Sequence, residues 1–439
     1  MSNREKRIRP RERDAIIQSL RAGVTPRTGI QHIQVGRVRE IEALLNDIEQ
    51  ISDGGATFRL IIGEFGSGKS FFLQLIRSIA LEKGLVTIHA DLSPDRRLHA
   101  TGGQARSLYA ELMHNLSTRT KQDGNGFSSI VERFITEARK ESEQSSVTVS
   151  DVIKNRLNHL ADYVGGYDFA NVISLYWRGV EEDNEQLKAD AIRWLRGEFS
   201  TKTDARKALG VRTIVDDASF YDHLKLMSLF VRQAGYKGLL VNLDELVNLY
   251  KLSSQQARMS NYEQILRILN DSLQGSAEHI GFLLGGTPDF LLDPRKGLYS
   301  YEALHTRLAE NSFAKKAGLI DYSSTTLHLA NLAPEELYIL LRNLRYVFAT
   351  GDKNKYLLPD EALHDFLSHC STQIGDAYFR TPRNTIKAFI DILSILEQNP
   401  ELKWTDLISQ TNIDKEYISD MPDISDKDSI PDELTTFKI

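Results

Sequence analysis

A chain of 439 residues with ordinary apolar and charged fractions, 41% and 26%, has core enough for two or three domains, which excludes a fibrous or natively unfolded protein. The formal net charge of −6 excludes any global attraction to nucleic acid and leaves only local patches for that purpose. A single cysteine, Cys370, excludes an internal disulfide; with no signal peptide and no apolar run of membrane-spanning length, the chain is expected in a reducing cytoplasm, without a membrane partner or a Cys/His metal site, and with Cys370 as a buried small hydrophobe.

Residues 1–28 read as a basic, partly disordered segment. Its "REKRIRPRER" carries Arg7, Arg9, Arg11 and Arg13, suited either to solubility or to contact with DNA or a partner. The turn-rich "RAGVTPRTGIQHIQVG" then leads into a helix around "GRVREIEALLNDIEQI". Residues 58–62, "FRLII", form the first buried strand, and "GEFGSGKS" follows at once: Gly63, Glu64, Phe65, Gly66, Ser67, Gly68, Lys69 and Ser70. The glycines let successive N–H groups turn inward as an anion nest at a helix N-terminus, where the helix dipole also favours phosphate. Lys69 would reach the β and γ phosphates of ATP, and the Ser70 hydroxyl would sit on Mg2+. Phe72, Leu75, Ile76, Ile79 and Ala80 recur at helical spacing after the loop, so strand, loop and helix come in the required order.

A second strand spans 85–92, "LVTIHADL", and ends in a carboxylate; a helix follows at about 104–116. Residues 120–235 are charged and helical with no buried strand, and read as an insertion. In "YKGLLVNLDELVNLY" the apolar run 238–243 suits a strand buried on both faces of a parallel sheet, with Asp244 and Glu245 at its C-terminal end, where ligands of such sheets bind. A helix over about 261–274 leads to the strand "HIGFLLGG", tipped by Thr287, and "STTLHLANL" supplies the fifth. Five strands with intervening helices make a doubly wound α/β core. Pro334 opens one further helix and Thr381 with Pro382 caps another running to about 397, before an acidic tail poor in apolar residues. The expected segments are 29–119 and 236–330 for the two parts of the core, 120–235 for the insertion, 331–415 for a helical lid and 416–439 for a disordered tail.

Asp244 fits a Walker B carboxylate holding Mg2+ and Glu245 the base that polarises the attacking water; the plain alternative is a strand cap facing solvent. Thr287 fits a polar sensor between strand ends, or else a turn threonine before Pro288. Arg383, a cation in the first turn of a helix, opposes the dipole there, and an anion would resolve the conflict. It is a candidate second sensor for the γ-phosphate, with Arg380 as its substitute. Arg295 and Arg307 follow the sensor strand as candidates for an arginine finger acting on a neighbouring subunit, Arg307 preferred.

This order of motifs resembles the AAA+ ATPases, notably the origin-recognition branch. More narrowly, "GRVREIEAL", "GEFGSGKSFFL", "DLSPDRRLH", "AIRWLRGE", "GYKGLLVNLDELVNL", "GLYSYEALHTRL" and "TPRNTIKAFIDIL" resemble the ATP-binding proteins of bacteriophage exclusion (BREX) systems and their relatives in other defence islands, over roughly 29–393. The resemblance implies an ATP- and Mg2+-dependent P-loop NTPase of the AAA+ fold, a homo-oligomer working with other defence proteins (nuclease, helicase or methyltransferase) and with DNA as a further partner. The chain departs from the origin-binding branch in having too little after the lid for a full winged-helix domain. The leading function is hydrolysis-coupled remodelling of an oligomer or partner on DNA. A STAND-like nucleotide-gated switch with slow turnover is the alternative, and a small-molecule kinase is disfavoured by the Asp-Glu pair and the lid.

Overall fold

The computed structural model describes residues 8–380 and 382–412. Its strands are β1 (Ala56–Gly63), β2 (Val86–Asp91), β3 (Leu239–Asp244), β4 (Ile280–Gly286) and β5 (Thr326–Leu329), in one five-stranded sheet of order β2-β3-β4-β1-β5. Parallel registers join β1 to β5, β2 to β3 and β3 to β4. All eight residues of β1 and all seven of β4 are buried, which is why these strands read as unbroken apolar runs rather than alternating ones. The fold is α/β with a five-stranded parallel sheet, as expected.

The chain divides into two compact units. Among described residues the first holds 8–49, 59–83, 310–380 and 382–412, and the second holds 50–58 and 84–309.

The first unit carries the N-terminal arm, the phosphate loop with its helix Lys69–Glu82, β5 and the helices of the expected lid, Pro334–Phe348, Asp360–Ile374, Ala377–Arg380, Arg383–Gln398 and Trp404–Gln410. Within the basic start, expected as partly disordered, Pro10–Arg21 is a helix, with proline in its first turn. Ile8, Ile16 and Ile17 enter one apolar cluster with Leu337, Leu341, Phe366 and Phe389 of the lid. Arg13 donates to Phe348 O (2.9 Å), pairs with Glu397 (2.6 Å) and lies 4.3 Å over the Phe348 ring. It is therefore a structural residue of this unit. Arg7, Thr381 and the acidic tail fall outside the described residues. Pro334 opens its helix as expected, with Ala333 N donating to the Glu336 carboxylate at 2.9 Å. Cys370 is fully buried, and burial pushes its thiol up to about 12, consistent with an inert packing residue.

In the second unit residues 120–235 form the helices Phe127–Gln144, Val149–Leu157, Gly166–Glu181, Glu185–Leu195, Lys202–Leu209 and Phe220–Gln233. Phe134, Phe169, Trp194 and Phe230 meet edge-on or tilted in their core. The Asp217 carboxylate accepts from Gly103 N (2.7 Å) and Arg106 N (2.9 Å), capping the helix Gln104–His114 and tying the end of the insertion to the core. Several insertion cations are paired locally: Lys140 with Glu137, Arg156 with Glu141, Lys188 with Glu185 and Arg193 with Asp190.

Candidate functional site

In the first unit β1 ends at Gly63 and the chain turns into the loop. Gly66 (φ 80°) and Gly68 (φ 83°) adopt the left-handed conformation that lets the backbone fold back on itself before the helix begins at Lys69. Gly63 is needed for a different reason. A Cβ there would lie 2.4 Å from Ser67 Oγ and 3.2 Å from Leu329 O, so a side chain would fill the cradle. Lys69 Nζ donates to Gly63 O (2.7 Å) and Glu64 O (2.9 Å), and Ser70 occupies the first turn of the helix. A glycine-lined turn at a helix start, with an ammonium against it, suits the phosphates of a nucleotide triphosphate.

The same unit brings Arg383 to this loop. It begins the helix Arg383–Gln398, and its guanidinium carbon lies 5.7 Å over the Phe65 ring, while its Cδ lies 3.2 Å from where a Cβ on Gly23 would stand. The helix to which Arg380 belongs is described but its side chain is not. A further arginine, Arg37, also reaches the loop. It donates to Ser67 O at 2.5 Å and Ala330 O at 3.1 Å. Burial lowers its pKa, against the opposing pull of Glu40 and Glu336.

In the second unit β3 ends at Asp244, directly across from Asp91 at the end of β2. Burial first, then Asp244, raises the pKa of Asp91, and Arg96 opposes the rise. Glu245 has φ 58°, a left-handed backbone that is uncommon for a residue with a Cβ. Its neighbours hold it there. Glu245 N donates to the Asp244 carboxylate (2.9 Å), Leu92 N to Asp244 O (3.0 Å), Leu246 N to Gly285 O (3.1 Å) and the Asn248 amide to Leu92 O (2.7 Å). Strain of this kind persists only where the surroundings over-determine it, and it clusters at functional sites.

Thr287 stands two residues past Gly285 and accepts from Phe290 N at 3.4 Å, capping the helix Pro288–Leu292. Asp293 accepts from Arg295 N (2.7 Å) and from the Tyr250 hydroxyl (2.8 Å), so the segment after the carboxylates is tied to the one bearing Arg295. Arg307, exposed near the end of the helix Glu302–Leu308, donates to Ala303 O at 2.9 Å.

Among the described residues no three His, Cys, Asp or Glu side chains gather as a metal site. Mg2+ is suited by a carboxylate and a hydroxyl that complete a shell of nucleotide phosphates and water; the second unit offers the Asp244 carboxylate for such a role and the first the Ser70 hydroxyl. No helix of the described residues is long and apolar enough to cross a membrane.

The sequence reading missed Arg37 and gave Asp91 no role. The first lies inside a quoted motif, but nothing in its spacing marks it. The second is visible only as a strand-ending acid until the register sets it against Asp244.

The family described as BREX system ATP-binding protein BrxC/D matches residues 8–412. No curated protein matches the chain.

Proposed function

The chain belongs to the BrxC/BrxD family, the ATP-binding proteins of the BREX defence system, and from that membership we propose that it is an AAA+ ATPase coupling ATP hydrolysis to remodelling of an oligomer or a defence partner. The observation that carries the hydrolytic part is Glu245, held in a strained backbone next to Asp244 by four hydrogen bonds from the surrounding strand ends. A carboxylate carried on a backbone fixed in this way is suited to take a proton from an attacking water, whereas a phosphotransferase would need an acceptor in that place.

When bound, Mg2+ would neutralise charge on the phosphate oxygens. The chain's own residues do the rest. Gly66 and Gly68 turn the loop's N–H groups toward the phosphates, Lys69 adds a cation, Asp244 and Ser70 would hold the metal, and Glu245 orients and deprotonates the water. Thr287 steadies that water. Arg383 senses the γ-phosphate from the lid, and Arg307, with Arg295 in reserve, completes the site of a neighbouring copy. The remodelling partner is another protein of the defence system. Duplex DNA is the expected stimulus.

The test is phosphate release from Mg-ATP with no acceptor present, with and without duplex DNA and with Lys69→Ala as the control that cannot bind. Steady release raised by DNA supports the remodelling ATPase. One slow turnover accompanied by a change of assembly state points to the nucleotide-gated switch, and phosphate appearing only on an added acceptor overturns the ATPase reading.

A further inference from the structure

Arg37 sits where the N-terminal arm turns into the helix Val38–Ser52, with its backbone left-handed at φ 59°. That conformation is over-determined. Gly36 before it is left-handed as well, and a Cβ there would lie 2.1 Å from the Glu336 carboxylate. The Gln34 amide donates to Gly36 O at 2.6 Å, and Ile41 N donates to Arg37 O at 3.0 Å. The turn delivers a guanidinium to the phosphate loop. Its Nη2 serves both Ser67 O and Ala330 O, and the group lies 5.9 Å over the Phe72 ring. Nη1 is buried without a hydrogen-bond partner, which costs stability, so a purely stabilising role would be better filled by a side chain lacking it.

The consequence follows from the geometry of one peptide bond. The Ser67–Gly68 unit is planar and trans, so its carbonyl and its N–H point in opposite directions. A carbonyl held toward Arg37 sends the Gly68 N–H the other way. We propose that Arg37 is the positioning residue of the phosphate loop: by holding Ser67 O it aims the Gly68 N–H at the phosphates, and through Ala330 it fixes the loop to the segment leading from β5 into the lid. This rests on the ATP-binding reading above and assigns Arg37 no contact with the nucleoside.

Inorganic triphosphate separates the two kinds of role, because it carries the phosphates and no base. Affinity for Mg-ATP and for Mg-triphosphate is measured for the wild type, Arg37→Gly and Arg37→Lys, with thermal unfolding of each followed by circular dichroism. Glycine adopts the left-handed turn freely, so Arg37→Gly removes the guanidinium while sparing the backbone. It should weaken ATP and triphosphate by the same factor, about ten- to a hundredfold for lost charge-assisted bonds. The loss should fall on KM, with turnover at saturating ATP kept within about threefold. Arg37→Lys keeps the charge with a single ammonium and should lose both ligands in parallel by a smaller factor; it carries the test should Arg37→Gly not fold. Unchanged binding of both ligands in either folded variant overturns the proposal. So does a loss confined to ATP, which would make Arg37 a nucleoside contact. A wild-type chain that binds neither ligand would instead overturn the ATP reading itself.

Discussion

Replacing Gly63 by alanine adds one methyl group where β1 hands over to the phosphate loop. That carbon would stand 2.4 Å from Ser67 Oγ, 3.2 Å from Leu329 O and 3.3 Å from Lys69 Cγ. The first approach is far inside contact distance, and Ser67 is only 3% exposed, so its hydroxyl has little room to swing aside. The second is backbone of β5, in register with Gly63, and cannot retreat without moving a strand. Gly63 is not left-handed, so the cost is steric alone. Overpacking on this scale costs about 1–3 kcal/mol. A shift of the loop would relieve it, so the cost should appear in nucleotide binding as a loss of about 5- to 150-fold in ATP affinity. The double variant Gly63→Ala/Ser67→Ala removes the 2.4 Å clash, leaves the contact with Leu329 O and should recover most of that loss. Calorimetric titration with Mg-ATP reads all three proteins. Wild-type affinity in Gly63→Ala, or a double variant no tighter than the single one, refutes the steric account of the loop.

Glu245→Gly should release left-handed strain and raise stability by about 1 kcal/mol while abolishing turnover; a lower denaturation midpoint would instead make Glu245 a structural anchor. Arg307→Ala should leave ATP affinity nearly intact and reduce turnover by about a thousandfold or more. Mixed with Glu245→Gln it should regain activity at interfaces built from the intact half of each, and no recovery at any ratio, with subunit exchange confirmed, removes it as a finger acting between copies. His223 is buried between Tyr109 and Trp194, and burial lowers its pKa below 6.5, against Ser219 O and the carboxylates of Asp222, Asp216 and Asp168. A depressed folded pKa means that its contribution to stability is full above 6.5 and is lost as the pH falls below it. His223→Gln should therefore flatten the stability loss between about pH 7 and 5, and equal slopes in the two proteins would contradict the assignment.

The strands were legible because burial on both faces leaves a continuous apolar run: the expected 58–62 lies within Ala56–Gly63, and the expected 238–243 overlaps all but the last residue of Leu239–Asp244. The loop was legible because its glycines and lysine are fixed by local backbone needs. The arm helix Pro10–Arg21 was hidden because its few apolar residues stand among charges and meet their partners only in the lid. Arg37 was hidden for a related reason. Its acceptors lie 30 and 293 residues further along the chain, and no local pattern encodes them. The left-handed turn at Glu245 likewise depends on Leu92 and Gly285, which only the assembled sheet supplies.

The central claim is that this chain hydrolyses ATP through Glu245, and one comparison tests it most directly: ATP binding and phosphate release measured on the same samples of wild type and Glu245→Gln. The amide keeps the size and most of the polarity of the side chain but cannot accept the water's proton, so affinity for ATP should stay near the wild-type value while phosphate release stops. Release at the wild-type rate from Glu245→Gln would contradict the account.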